Sequence, residues 1–176
     1  MLAAALLFST GGAAIKSATL DGWQVAAFRS LVAAAAVLAL IPAARRGWSW
    51  RTLLVGSSYA ATLILFVQAT KLTTAANAIF LQSTAPVYLL LLGPWLLKEP
   101  VRRADAWLMV LVGLGVALFF LGRQAPLRTA PDPVTGNLLA VISGLAWALT
   151  LAGLRWLGNH KAVGEPAMAT VAAGNA

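Results

Sequence analysis

The stretch LQSTAPVYLLLLGPWLLKEPVRR, Leu81 to Arg103, decides how the chain must be read. Its apolar run suits the second half of a membrane-crossing helix, yet Gln82, Ser83, Thr84 and Pro86 interrupt the upstream part. No water reaches the hydrocarbon core of a bilayer, so such groups must face protein or a water-filled cavity. The close, Lys98-Glu99-Pro100 followed by Arg102 and Arg103, marks where the helix meets water at a membrane face.

Composition points the same way. The 176 residues are 60% hydrophobic and 10% charged, with a mean hydropathy of +0.82, far from a soluble domain. The net charge of +8 is spread between apolar runs instead of along one face, which argues against a nucleic-acid partner. There is no cysteine, so neither a disulfide framework nor a thiolate metal site is available. His160 stands alone in a loop, and Asp21, Glu99, Asp105, Asp132 and Glu165 all fall at helix ends or in loops. No catalytic residue, no metal and no cofactor is expected from that arrangement, since acid–base and metal chemistry need clustered groups. The partner expected from composition is the lipid bilayer.

A bilayer core of about 30 Å takes roughly 20 apolar residues per helix. Six such spans are expected, at about Leu2 to Ile15, Trp23 to Ala44, Thr52 to Thr70, Thr74 to Leu97, Ala104 to Gly122 and Asn137 to Gly158. The first is short; it lacks the basic leader of a signal peptide and reads as a transmembrane helix. The longest connection, residues 123–136 with three prolines, reads as an extracytoplasmic linker between a first unit, 1–122, and the start of a second, 137–176. One set of connections carries Arg45, Arg46, Arg51, Lys98, Arg102, Arg103, Arg155 and Lys161; the other carries Lys16, Lys71, Arg123 and Arg128. The positive-inside rule then puts the N-terminus in the cytoplasm of a multi-pass protein of the cell's inner membrane. Trp48, Trp50, Trp95 and Trp107 fall near the same inner interface.

Helix 4 carries the richest set of site candidates. Asn77, Leu81, Thr84 and Tyr88 recur at i, i+4, i+7 and i+11, one face of a helix, with Gln82 and Pro86 on a neighbouring row. At about 24 residues, or about 36 Å, the helix has its midpoint near Ala85, so the cluster lies near the membrane centre. Pro86 gives no N–H to the Gln82 carbonyl, which bends the helix and exposes an acceptor. The reading assigns Asn77, Gln82, Thr84 and Tyr88 to a cavity wall, joined by Tyr59 and Thr62 of helix 3 and Trp147 of helix 6. Arg29, two turns inside helix 2, becomes a cationic group on the outer rim. In helix 5, Gly113 and Ala117 form a small-residue packing pair. A plainer reading has Ser83 and Thr84 bonding back to their own helix and Gln82 joining two helices.

The order of these elements resembles the EamA-type transporters of the drug/metabolite transporter superfamily. The resemblance rests on KLTTAANAIFLQSTAPVYLL opening helix 4, Glu99 past its inner end, the Gly113 and Gly115 helix, FRSLVAAAAVLAL with Arg29, and ISGLAWALTLAGLRWLG with Trp147. It implies an all-α polytopic transmembrane bundle: one five-helix repeat plus the first helix of a second, inverted repeat. It also implies a permease, with exporters prominent in the family, moving small organic metabolites or drugs by alternating access. Six helices against the family's ten imply a C-terminally truncated chain, and a chain that truly ended here would need a homodimer to enclose a cavity. The competing expectation is a non-transporting membrane subunit, a scaffold, or an inactive transporter fragment.

Overall fold

The computed structural model describes residues 2–96, 102–121, 126–159 and 166–176. They form α1 (Leu2–Ser17), α2 (Gly22–Leu40), a 3-10 turn (Pro42–Arg45), α3 (Trp50–Leu72), α4 (Ala75–Gln82), α5 (Ala85–Leu96), α6 (Arg103–Leu121), α7 (Pro133–Asn159) and α8 (Pro166–Asn175). The only strand-like feature among the described residues is one antiparallel bridge between Leu127 and Ala130. The protein is thus an all-α polytopic bundle. Among the described residues five segments are long and apolar enough to cross a membrane: α2, α3, α4 with α5 as one unit, α6 and α7. At 16 residues, α1 is shorter than that limit. Lys98, Glu99, Arg123, His160, Lys161 and Glu165, all weighed above, lie outside the described residues.

Helix starts follow from caps. The Asp21 carboxylate accepts from Gln24 N at 2.8 Å while the Gln24 amide oxygen accepts from Asp21 N at 3.2 Å, a reciprocal box that opens α2. Ser49 opens α3 and Thr74 opens α4, each accepting from the backbone N–H three residues on. Asp132 accepts from Thr135 N at 3.1 Å, and Pro133 takes the first helical position, where its missing N–H costs nothing. This moves the start of α7 from the expected Asn137 to Pro133, so residues 133–136 belong to the helix and not to the linker. The Thr135 side chain and amide hold the Asp132 carboxyl below its ordinary pKa. The cap's electrostatic contribution is therefore present above that ordinary value and is lost as pH falls below it. The second expected helix, Trp23 to Ala44, stops instead at Leu40, because Pro42 cannot continue the ladder and tightens the chain into the 3-10 turn.

The centre of the bundle is α3 against α7, with α8 on α3, and α4 and α5 on α7. One core cluster joins buried Ala69, Ala78, Leu81 and Ala140, with Phe66, Val116 and Phe119 packed on it. Three of those four buried residues are alanines, so backbones approach closely, as suits a medium in which lipid is as apolar as leucine. Gly136 shows the limit: a Cβ there would lie 2.5 Å from Thr73 N and 2.9 Å from Leu72 C. Around it, the Asp132 N–H donates to the Leu72 carbonyl at 3.1 Å, fastening the linker to the end of α3. Lysines tie the same end together, Lys71 Nζ donating to the Ala18 carbonyl at 2.7 Å and Lys16 Nζ to the carbonyls of Lys71 and Thr129.

Large apolar side chains cover the outside. Leu111, Leu114, Leu118 and Leu121 of α6 are exposed, and none of that helix's residues is buried. A Cβ on Gly113 would meet nothing within 4 Å, so the expected Gly113–Ala117 contact is not made among the described residues. Helix α6 instead touches the core through Val116 and through Phe119, stacked on Phe80 at 5.0 Å and 16°. Gly136→Ala should destabilise the bundle by about 1–3 kcal/mol, because backbone has no room to yield. Gly113→Ala should be neutral or stabilising by up to about 1 kcal/mol through helix propensity. Thermal unfolding of the two purified variants beside the parent protein checks both.

Candidate functional site

The fourth span is not one helix. It ends as α4 at Gln82, turns through Ser83 and Thr84, and restarts as α5 at Ala85, within the 21-residue span Ala75–Trp95 and near its centre. The sequence explains the break locally. Ser83 N–H donates to Ile79 O at 2.9 Å as in a helix, but Thr84 N–H reaches Leu81 O at 3.3 Å, three residues back, and the Thr84 hydroxyl joins it at 2.6 Å. The Ser83 hydroxyl donates to the Ile79 carbonyl at 2.7 Å. Side-chain hydroxyls thus compete with the ladder at the place where Pro86 withholds an N–H from the Gln82 carbonyl.

The break is received by α7. A Cβ on Gly144 would lie 3.1 Å from Gln82 O and 3.3 Å from Leu81 O, so glycine alone lets this helix meet the interrupted backbone without pushing it back. One residue away, Gln82 Nε2 donates to the Ser143 hydroxyl at 2.8 Å, and Ser143, fully buried, donates in turn to the Thr62 carbonyl at 3.0 Å. A chain of hydrogen bonds therefore runs from α4 through α7 to α3. Beside it the Tyr59 and Trp147 rings sit 6.3 Å apart, tilted by 45°. The Thr62 hydroxyl is held by the Ser58 carbonyl at 2.8 Å, turned into its own helix.

The expected cluster is divided. Gln82 and the Thr62 carbonyl meet at Ser143, and Tyr59 and Trp147 pair with each other on the same two helices, α3 and α7, but Asn77 joins a separate group at the α3–α4 corner. There Thr73 Oγ1 donates to Asn137 Oδ1 at 2.7 Å, and Asn77 Nδ2 lies 3.3 Å from Thr73 Oγ1 and 3.5 Å from Asn137 Oδ1. Thr84 is buried and closes the turn, Tyr88 is half-buried on α5, and Ser83 and Pro86 are exposed. Arg29 is exposed on α2. A concavity of about 380 Å³ between α2 and α8 is lined by Phe28, Leu31 and Asn175, and by none of the expected wall residues. Ser143, one of the polar positions inside the sixth span, and Gly144 lie outside the expected wall; the Ser-Gly pair one turn before Trp147 is the sequence signal that marks them.

A bundle of long apolar helices, with one crossing broken near its centre around paired side chains, defines a multi-pass membrane protein. The family model of the EamA-like transporters matches residues 1–121, and the chain belongs to that family, membrane transporters of the drug/metabolite type. No curated protein and no solved structure matches it. The match covers the broken span but stops before α7, so the Ser143–Gly144 side of the site lies beyond it.

The Gln82–Ser143 bond should show as coupling. Gln82→Leu and Ser143→Ala, singly and together, should give an interaction energy of about 0.5–1.5 kcal/mol in a double-mutant unfolding cycle in detergent. Strict additivity would mean the bond contributes nothing to holding α4 on α7.

Proposed function

We propose that the chain is a permease that moves small organic metabolites or drugs, outward, by alternating access. The observation that carries this reading is the break at Ser83–Thr84 with the Gln82 amide bridging to Ser143. A helix interrupted at mid-membrane offers backbone carbonyls and a side-chain amide where lipid offers none, and irregular backbone at that depth is tolerated where it lines protein or a cavity. In this reading Gln82, Thr62, Tyr59, Trp147 and Tyr88 present the wall, and Thr84 and Pro86 set the bend. Asn77 latches the outer end of the wall, and Arg29 draws anionic or zwitterionic compounds to the rim. Residues 1–122 form one five-span unit, and α7 opens a second, inverted one. The chain acts as a carrier and not as an enzyme.

Efflux tests the reading. Cells expressing the protein are loaded with a panel of cationic, zwitterionic and anionic organic compounds, and retention is compared with empty vector. For any compound that the protein clears, Gln82→Leu with Thr84→Val should cut the rate by about tenfold or more, the order of one lost polar contact to the substrate, with membrane insertion unchanged. Unchanged clearance contradicts the assignment.

Orientation has its own test. The excess of arginines on the Arg46 side puts that end in the cytoplasm of the inner membrane and residues 126–132 outside. Because the chain has no cysteine, single Arg128→Cys and Arg46→Cys variants can be labelled cleanly. An impermeant maleimide applied to intact cells should label the first and spare the second; the reverse pattern inverts the topology.

A further inference from the structure

We propose that Arg51, set against the paired rings of Trp50 and Trp156 where α3 begins, is a binding site for the phosphate of an anionic phospholipid headgroup. The site is built by the turn GWSWR, Gly47 to Arg51. Gly47 has φ of 78°, a left-handed conformation that glycine adopts without a Cβ clash. Trp48 Nε1 donates to the Ala44 carbonyl at 2.9 Å, and the Thr52 hydroxyl to the Gly47 carbonyl at 3.0 Å. Ser49 Oγ accepts from Thr52 N at 3.2 Å. These bonds fix the direction in which α3 leaves the turn, and with it the places of Trp50 and Arg51.

From the last turns of α7, the Trp156 ring meets Trp50 edge-on, with centroids 6.2 Å apart at 64°. The Arg51 guanidinium carbon lies 5.6 Å from the Trp50 centroid and 5.1 Å from that of Trp156. Cation–π contacts of this kind are made by charge and consume none of the guanidinium's hydrogen-bonding capacity. Among the described residues, its N–H edge has no hydrogen-bond acceptor and no carboxylate beside it. The contrast is Arg45, whose Nε and Nη2 are occupied by the carbonyls of Leu38 and Ala39 at 2.6 and 3.0 Å. A half-buried guanidinium with an open fork is completed by an anion.

The surroundings say which anion. Trp48 and Trp50 are exposed, as rings at headgroup level are, and Arg46 and Arg155 are exposed at the same end of the bundle. The first amides of α3 add a positive partial charge. A phosphodiester is the anion present at that depth, its two free oxygens match the fork, and the local basic surplus favours a lipid with net negative charge. The inference needs only that the protein spans a membrane, and it stands whatever the carrier moves.

The full chain, purified in detergent, is titrated with phosphatidylglycerol, with phosphatidylcholine and with inorganic phosphate, and bound species are counted by native mass spectrometry. The parent protein should hold phosphatidylglycerol at one tight site, and Arg51→Gln should weaken it about tenfold, as expected for a lost charge-assisted bond. Arg46→Gln should leave it within about twofold, the value of an exposed charge. Arg51→Lys keeps the charge, and so guards against a variant that fails to fold; it loses the planar fork and should bind between the other two. Unchanged binding by both Arg51 variants, or an equal loss in Arg46→Gln, overturns the site. Arg51-dependent binding of inorganic phosphate without binding of phosphatidylglycerol overturns its assignment to lipid.

Discussion

Everything in this bundle is arranged around two backbone carbonyls, those of Leu81 and Gln82, that leave the regular ladder near the middle of a membrane-crossing segment. Water would satisfy such groups at no cost, but lipid does not, and an unsatisfied peptide group in hydrocarbon costs several kcal/mol. The chain answers with a local partner and a distant shield. The Thr84 hydroxyl and amide take the Leu81 carbonyl, and α7 packs Gly144 closely over both oxygens. That contact dictates a small residue at Gly144, a hydrogen-bonding residue beside it at Ser143, and the close packing of α7 on α3 that lets Ser143 reach the Thr62 carbonyl.

The same constraint accounts for the contrast between helices. Where polar backbone has to be sheltered, α7 buries alanine, serine, glycine and threonine along its length, and its partners come near. Where no such duty exists, α6 exposes leucines and touches the core through one ring stack and a valine. Hydrogen-bonded corners fasten the ends of the sheltered part, with Thr73, Asn77 and Asn137 at one end and the Ser49 cap with the Arg51–tryptophan cluster at the other. Among the described residues the centre therefore holds the irregular crossing while its ends are pinned, a layout that suits the alternating access proposed above.

Much of this was legible in the sequence, for stated reasons. Apolar runs of membrane length gave the spans, and Pro86 marked a bend in the fourth because it acts on neighbouring residues, but the full break at Ser83–Thr84 in an otherwise continuous apolar run was not legible. The partner of Gln82 was not legible: Ser143 lies 61 residues away, and which helix meets which is set by three-dimensional packing. Periodicity put Asn77 on the face of Thr84 and Tyr88, but the break resets the helical phase between them and leaves Asn77 with Thr73 and Asn137. The start of α7 was missed because Pro133 reads as a linker residue until Asp132 is recognised as a cap. Gly113 shows that a small-residue spacing alone does not specify a contact.

The proposed carrier function requires the face of the break turned away from α7, where Ser83 is exposed, to border water and not lipid. The most direct measurement is the reactivity of a single cysteine at Ser83, exposed at the break, compared with one at Leu114, exposed in the middle of α6. A charged methanethiosulfonate reacts with thiolate, which forms in water and not in hydrocarbon. In membranes, the account predicts rapid modification of the Ser83→Cys protein and little or none of the Leu114→Cys protein. Equal inertness of the two would place the break against lipid and contradict the account.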